Sequence, residues 1–185
     1  MRHNQLQQSQ FQPSAPLPFA ALTEEAFAHF GLVLEHRGND RRRHLDLAFD
    51  GHGGDGGGEL KSWITLIETP LGGGERIDRL ERHPFSDQLF VPLSHQRFLV
   101  VVCEDDGTRA PDRATARGFV AGPGQGIVYR RNVWHAGMLI LDAPAQFFVQ
   151  MTTAPNRKDD VFHPLDEPIL LPSFAGWPAT REAAS

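Results

Sequence analysis

The chain has a single cysteine in 185 residues, so an internal disulfide framework is excluded. That residue, Cys103, ends the apolar run Phe98-Leu99-Val100-Val101-Val102, where a buried thiol is expected rather than a nucleophile. The run is far too short to cross a bilayer. The amino terminus lacks a charged segment followed by an apolar one, so no secretory signal is read and a reducing cytoplasm is expected. Basic excess is also missing: Lys+Arg 18 stand against Asp+Glu 23, a formal net charge of −5. Nucleic acid and membrane are therefore not expected partners, and Arg41-Arg42-Arg43 reads as a solvated turn. No internal repeat or second domain is visible.

What is present is an ordinary globular composition, 40% hydrophobic and 22% charged. Residues 1–18, rich in Gln, Pro and Ser, read as a tail. Residues 19–175 read as one domain and 176–185 as a second tail. Thr23 looks like a helix N-cap, with Glu24 and Glu25 in the first turn and Gly31 just past the end. The remainder reads as β. Strands are expected at Leu32–Glu35, His44–Asp50, Trp63–Glu68, Arg76–Leu80, Gln88–Leu93, Phe98–Glu104, Gly118–Ala121, Gly126–Arg130, Met138–Leu141 and Gln146–Thr152. Gly51 to Gly58 reads as a flexible hairpin connection, since it lacks the Lys-Ser/Thr ending of a phosphate loop. A short helix is expected over Asp112–Arg117, and the segment beyond Val161, with its prolines, as irregular. The sum is a mostly β chain: a closed antiparallel barrel or a double-sheet jelly roll, with one or two short helices.

Two polar clusters stand out. Glu81, Arg82, His83, Asp87 and Gln88 crowd the approach to the apolar strand that follows, although each buried polar group must find a partner. On a strand, Glu81 and His83 share a face and Arg82 opposes them. Pro84 breaks the ladder, and Gln88 can return to the same face from the next strand. The second cluster is Tyr129-Arg130-Arg131-Asn132-Val133-Trp134-His135. The spacing of Glu81, His83 and Gln88 matches the first metal motif of the cupins with the outer ligand types changed, and His135 stands where a cupin's final histidine lies. Two readings stay open. A divalent metal could take Glu81, His83, Gln88 and His135, although a carboxamide is a weak ligand. Without metal, which the sequence does not require, the same groups serve as acid, base and hydrogen-bond donors. Trp134 reads equally as a wall beside His135 or as aromatic core filler.

These motifs carry a resemblance. Leu80-Glu81-Arg82-His83-Pro84, then Gln88-Leu89-Phe90-Val91-Pro92-Leu93, resembles the ureidoglycolate lyase family, as does Gly126-Ile127-Val128-Tyr129 followed by Trp134-His135. The similarity runs from about Leu22 to Thr152. It implies a cupin-like barrel, often a homodimer, that acts as a carbon–nitrogen lyase on ureidoglycolate, releasing glyoxylate and urea in allantoin breakdown. On that reading His83 or His135 moves protons and Glu81 orients or tunes an imidazole. Arg130 or Arg131 holds the substrate carboxylate, Tyr129 and Gln88 donate hydrogen bonds, and Arg82 and Trp134 complete the binding set. The chain departs from the family at Ala136-Gly137-Met138 and at Thr152-Thr153-Ala154. The alternatives are a metal-dependent cupin enzyme on another small hydroxy or keto acid, and a non-catalytic small-carboxylate binder.

Overall fold

The computed structural model describes residues 15–47, 58–153 and 158–175. Along the chain run β1 (Phe19–Ala21), α1 (Glu24–Phe27), β2 (Gly31–Leu34), β3 (Glu59–Ile67), β4 (Arg76–Arg82), β5 (Gln88–Pro92), β6 (Phe98–Asp105), β7 (Pro111–Ala121), β8 (Gly126–Tyr129), β9 (Trp134–His135), β10 (Leu139–Ile140), β11 (Ala145–Thr153) and β12 (Val161–Leu170). The first sheet has the order β1-β7-β6-β9-β4-β12, with β10 also on β6. The second has the order β2-β8-β5-β11-β3. All pairs are antiparallel except β1 with β7. This is the double-sheet form of the cupin-like expectation.

Alternation along the strands makes the two sheets face each other. Val100 and Val102 of β6 and Phe119 of β7 join Phe90, Ile127, Phe147 and Val149 of the second sheet in one buried cluster. Aromatic edges close the gap: the Phe98 and Phe147 centroids lie 5.2 Å apart. The intervening residues of β6, Leu99, Val101 and Cys103, point the other way into a second cluster with Trp134, Ile169 and Leu171. The first sheet is therefore covered on both faces, which is why β6 reads as a continuous apolar run. Cys103 is buried there, and burial raises its thiol to about 12, as a structural thiol should behave.

Helix α1 forms as read, with the Thr23 side chain accepting the Ala26 N–H at 3.1 Å. Three expectations need correction. Asp112–Arg117 is not a helix but part of β7, zipped to β6 from Glu104↔Asp112 to Val102↔Arg117. A tight turn dictates this: Asp105 and Asp106 carboxylates accept the Gly107 and Thr108 N–H groups, and Gly107 and Arg109 take positive φ. The hairpin ladder overrides local helix preference. The segment beyond Val161 is not irregular but forms β12 on β4, with a register shift between Pro164 and Ile169. Pro is tolerated there because β12 is an edge strand. His44 to Leu47 carry no strand; instead the Arg43 guanidinium donates to the Val33 and Glu35 carbonyls along the β2 edge. The rest of that expected strand and most of the glycine-rich loop lie outside the described residues. Residues 15–18 are already tied to the body, with the Leu17 N–H donating to Leu170 O at 2.8 Å.

Candidate active site

The two polar clusters meet between the sheets. On the first sheet Glu81 and His135 are direct cross-strand partners, and His135 also pairs with Val102. His83 follows Glu81 on the same face. The ligand atoms of Glu81, His83 and His135 all lie within 4.8 Å of one another. On the second sheet Gln88 pairs with Tyr129 on one side and Met151 on the other. The facing rows touch where the Tyr129 ring stacks on His135 at 4.1 Å between centroids and 17° between planes.

The connections are held by backbone bonds between the clusters. The Asn132 N–H donates to His83 O at 2.8 Å, and the Arg131 N–H donates to Asp87 Oδ1 at 2.8 Å. Asn132 takes φ 67°, a left-handed turn that Asn accepts more readily than most residues. The turn after His83 is fixed by Asp159, whose Oδ1 accepts the Phe85 N–H at 2.9 Å.

Electrostatics distinguish the members. His135 Nδ1 lies 2.9 Å from Val133 O, so the ring donates its Nδ1 proton to that carbonyl and turns a bare Nε2 inward. That Nε2 is 3.6 Å from Glu81 Oε1. Burial, reinforced by the charge of His83, lowers His135 to about 3, so it stays neutral. Burial raises the Glu81 carboxyl, and Asp160 adds to this, while His83 and Arg79 pull it back. Burial also raises the Tyr129 phenol, which therefore stays protonated as a donor. His83 Nδ1 is 3.3 Å from Asp160 Oδ1. Gln88 Nε2 contacts Met151 Sδ at 3.7 Å. His83 Nδ1 and Nε2, His135 Nε2 and Gln88 Oε1 are buried without a hydrogen-bond partner among the described residues. Such orphans are unusual unless a ligand completes them.

Several sequence-predicted residues fall elsewhere. Arg82 turns to the opposite face, as its parity requires, with Nη1 2.6 Å from Asp105 Oδ2 and its guanidinium 4.4 Å from the Trp134 ring centroid. Trp134 belongs to the second apolar cluster and donates its indole N–H to Asp105. It is core filler, not a wall of the site. Arg130 donates to Ala28 O and borders a cleft with Glu24, Glu25 and Arg43, away from His135. The Arg131 side chain is exposed, and its fixed contact is the backbone one to Asp87. The departures in sequence divide between the faces: Ala136 packs with Trp134 and Thr152 alternates with the inward Met151, whereas Met138 packs against the cluster between the sheets and Thr153 shares the parity of Met151; Ala154 lies outside the described residues.

Asp160, Met151, Arg79 and Phe162 belong to the surroundings and escaped the sequence reading. Asp160 and Phe162 flank Val161, the start of the strand read as irregular. Arg79 was visible only as the residue two before Glu81 on the same face.

The family model "Ureidoglycolate lyase" matches residues 62–171. The chain belongs to the ureidoglycolate lyase family. A ureidoglycolate lyase of Mesorhizobium japonicum is 40% identical over 152 residues, covering 77% of this chain and 89% of that protein. One from Agrobacterium fabrum is 36% identical over 165 residues, covering 84% and 95%. One from Brucella anthropi is 38% identical over 141 residues, covering 69% and 78%. The ureidoglycolate lyase match spans β4, β5, β8 and β9, which carry Glu81, Gln88, Tyr129 and His135, and the turn after β4 that carries His83.

Proposed function

We propose that this protein is a ureidoglycolate lyase that splits its substrate into glyoxylate and urea. The observation that carries the reading is the meeting of Glu81, His83 and His135 between the sheets, with buried nitrogens of both histidines left for a ligand. Ureidoglycolate is a carbinolamide, its central carbon bearing hydroxyl, carboxylate and ureido nitrogen. Cleavage breaks the carbon–nitrogen bond as the hydroxyl becomes a carbonyl. His83, with Nδ1 toward Asp160, presents Nε2 to take the hydroxyl proton. Glu81, its carboxyl raised by burial, delivers a proton to the departing nitrogen. Urea leaves and glyoxylate remains, and the proton taken by His83 returns to Glu81, within 4.8 Å of it, so that the protons balance over the cycle. Neutral His135 and the Gln88 carboxamide oxygen accept hydrogen bonds, and the Tyr129 phenol donates one. Incubation with ureidoglycolate should yield glyoxylate and urea in equal amounts; ammonia and carbon dioxide in place of urea would mark an amidohydrolase and reject the lyase.

The donor set also fits a divalent metal, because two imidazoles with unpartnered buried nitrogens and a carboxylate converge within 4.8 Å. Glu81, His83 and His135 would hold it, with Gln88 Oε1 as a weaker fourth donor. A bound cation would polarise the substrate oxygens and hold the two histidines neutral. Metal analysis of gently purified protein tests this, with near-stoichiometric Mn, Fe, Ni or Zn expected. The same proposal includes a homodimer. It is supported by β3, a nine-residue edge strand with exposed Leu60, Ile64 and Leu66. A monomer in sedimentation equilibrium would remove that part.

A further inference from the structure

The open side of the site follows from the strand register. Across the first sheet one inward row runs Val102, His135, Glu81, Phe162. Val102 and His135 are buried, Glu81 is half-buried and Phe162 is 49% exposed. Across the second sheet the matching row runs Tyr129, Gln88, Met151, Lys61. The first three are buried and Lys61 is exposed. Both gradients fall toward β12 and β3, the edge strands of their sheets, so the mouth lies between those two edges.

A substrate carboxylate entering there needs a cation within a few ångströms of the reacting carbon. Among the described residues, Lys61 and Arg79 bring cations to the mouth. Lys61 is engaged by Glu59, Nζ to Oε2 at 2.6 Å. Arg79 forms no salt bridge within 4.0 Å among the described residues, although its charge reaches Glu81, and its guanidinium lies 5.1 Å from the Phe162 ring centroid. A guanidinium held over a ring by cation–π attraction keeps its N–H groups available for bidentate recognition of a carboxylate. Arg79 lies two residues before Glu81, about 6.6 Å along the strand on the same face.

We infer that Arg79, braced on Phe162, is the carboxylate-docking residue of this site. The inference rests on the proposed reaction for its substrate, and it replaces Arg130 and Arg131 in that role. Because the contact is to a part of the substrate that does not react, its loss falls mainly on binding.

The test is steady-state kinetics and direct titration on wild type, Arg79→Ala, Arg79→Lys and, as control, Lys61→Ala. Arg79→Ala should raise KM for ureidoglycolate about 10- to 100-fold with a smaller change in kcat. Inhibition by glyoxylate should weaken by a similar factor while inhibition by urea, which has no carboxylate, stays unchanged. Arg79→Lys should recover part of the loss, and Lys61→Ala should stay within about threefold of wild type. Wild-type turnover with unchanged KM and unchanged glyoxylate inhibition in Arg79→Ala would overturn the docking role and leave the lyase reading intact. If wild type does not turn over ureidoglycolate, calorimetric titration of glyoxylate into wild type and Arg79→Ala still decides. Binding lost with the arginine supports the docking role without the lyase, and equal or absent binding in both overturns it.

Discussion

The two faces of β4 and β9 carry similar raw material to different ends. On one face Arg82, Trp134 and Asp105 form a closed set: guanidinium on carboxylate, indole N–H on the same carboxylate, guanidinium on indole. Only Arg82 Nε lacks a partner there. On the other face Glu81, His83 and His135 crowd together with four nitrogen and oxygen atoms of that wall and of Gln88 left bare. Alternation alone separates the two, since neighbours on a strand point oppositely. A polar group that has spent its hydrogen bonds within the protein is holding the fold. A buried one that has not is available to a ligand.

The sharpest way to break the comparison is to cut one member from each face. His83→Ala should reduce glyoxylate release by about two orders of magnitude or more, with little change in melting temperature. Arg82→Met should do the reverse. It strands the Asp105 carboxylate beside Trp134 and should cost about 2 kcal/mol of stability, while kcat of the folded fraction stays within a few-fold. Denaturant unfolding and initial rates on the same preparations separate the two. Loss of activity without loss of stability in Arg82→Met would erase the distinction between the faces.

A smaller effect is carried by pH. Burial works against the Asp105 charge, but hydrogen bonds from Trp134, Gly107 and Arg109 and the charge of Arg82 outweigh it, so the carboxyl sits below its usual range. A group with a lowered folded pKa stabilises fully above the unfolded value and loses that contribution as pH falls through the folded one. The stability advantage of wild type over Asp105→Asn should therefore be largest above about pH 5 and close as pH falls toward 3. Thermal unfolding of both proteins across that range reads it directly.

The pairing of Glu81 with His83, with Arg82 opposed, was legible because strand parity depends on nothing beyond the strand itself. The strong apolar strands and the Thr23 cap were legible for the same reason. What the sequence hid were consequences of pairing. Residues 112–117 have helix-compatible composition and become strand because the Asp105–Ala110 turn delivers them to β6. Val161–Leu170 contains two prolines and becomes strand because it lies at an edge. Missing that strand hid Asp160 and Phe162, and with them the mouth of the site. The arginines after Tyr129 looked like carboxylate ligands because they adjoin His135 in sequence, yet a turn intervenes and Arg130 faces α1.

The least of the expected effects sits where the two kinds of group grade into one another. Asp160 is mostly exposed, yet its Oδ1 lies 3.3 Å from Nδ1 of the buried His83. It contributes little to stability, because an exposed acid near an imidazole is worth only about 0.2–1 kcal/mol. The same energy acts on how the ring is turned and which nitrogen keeps its proton. Asp160→Asn preserves shape and removes charge, so it should leave melting temperature unchanged and lower kcat about two- to fivefold with KM unmoved. A kcat equal to wild type would show that His83 is oriented by its own packing, against the His135 ring 5.4 Å away, rather than by the acid. The open face would then hold its chemistry through shape alone, as the closed face holds its network.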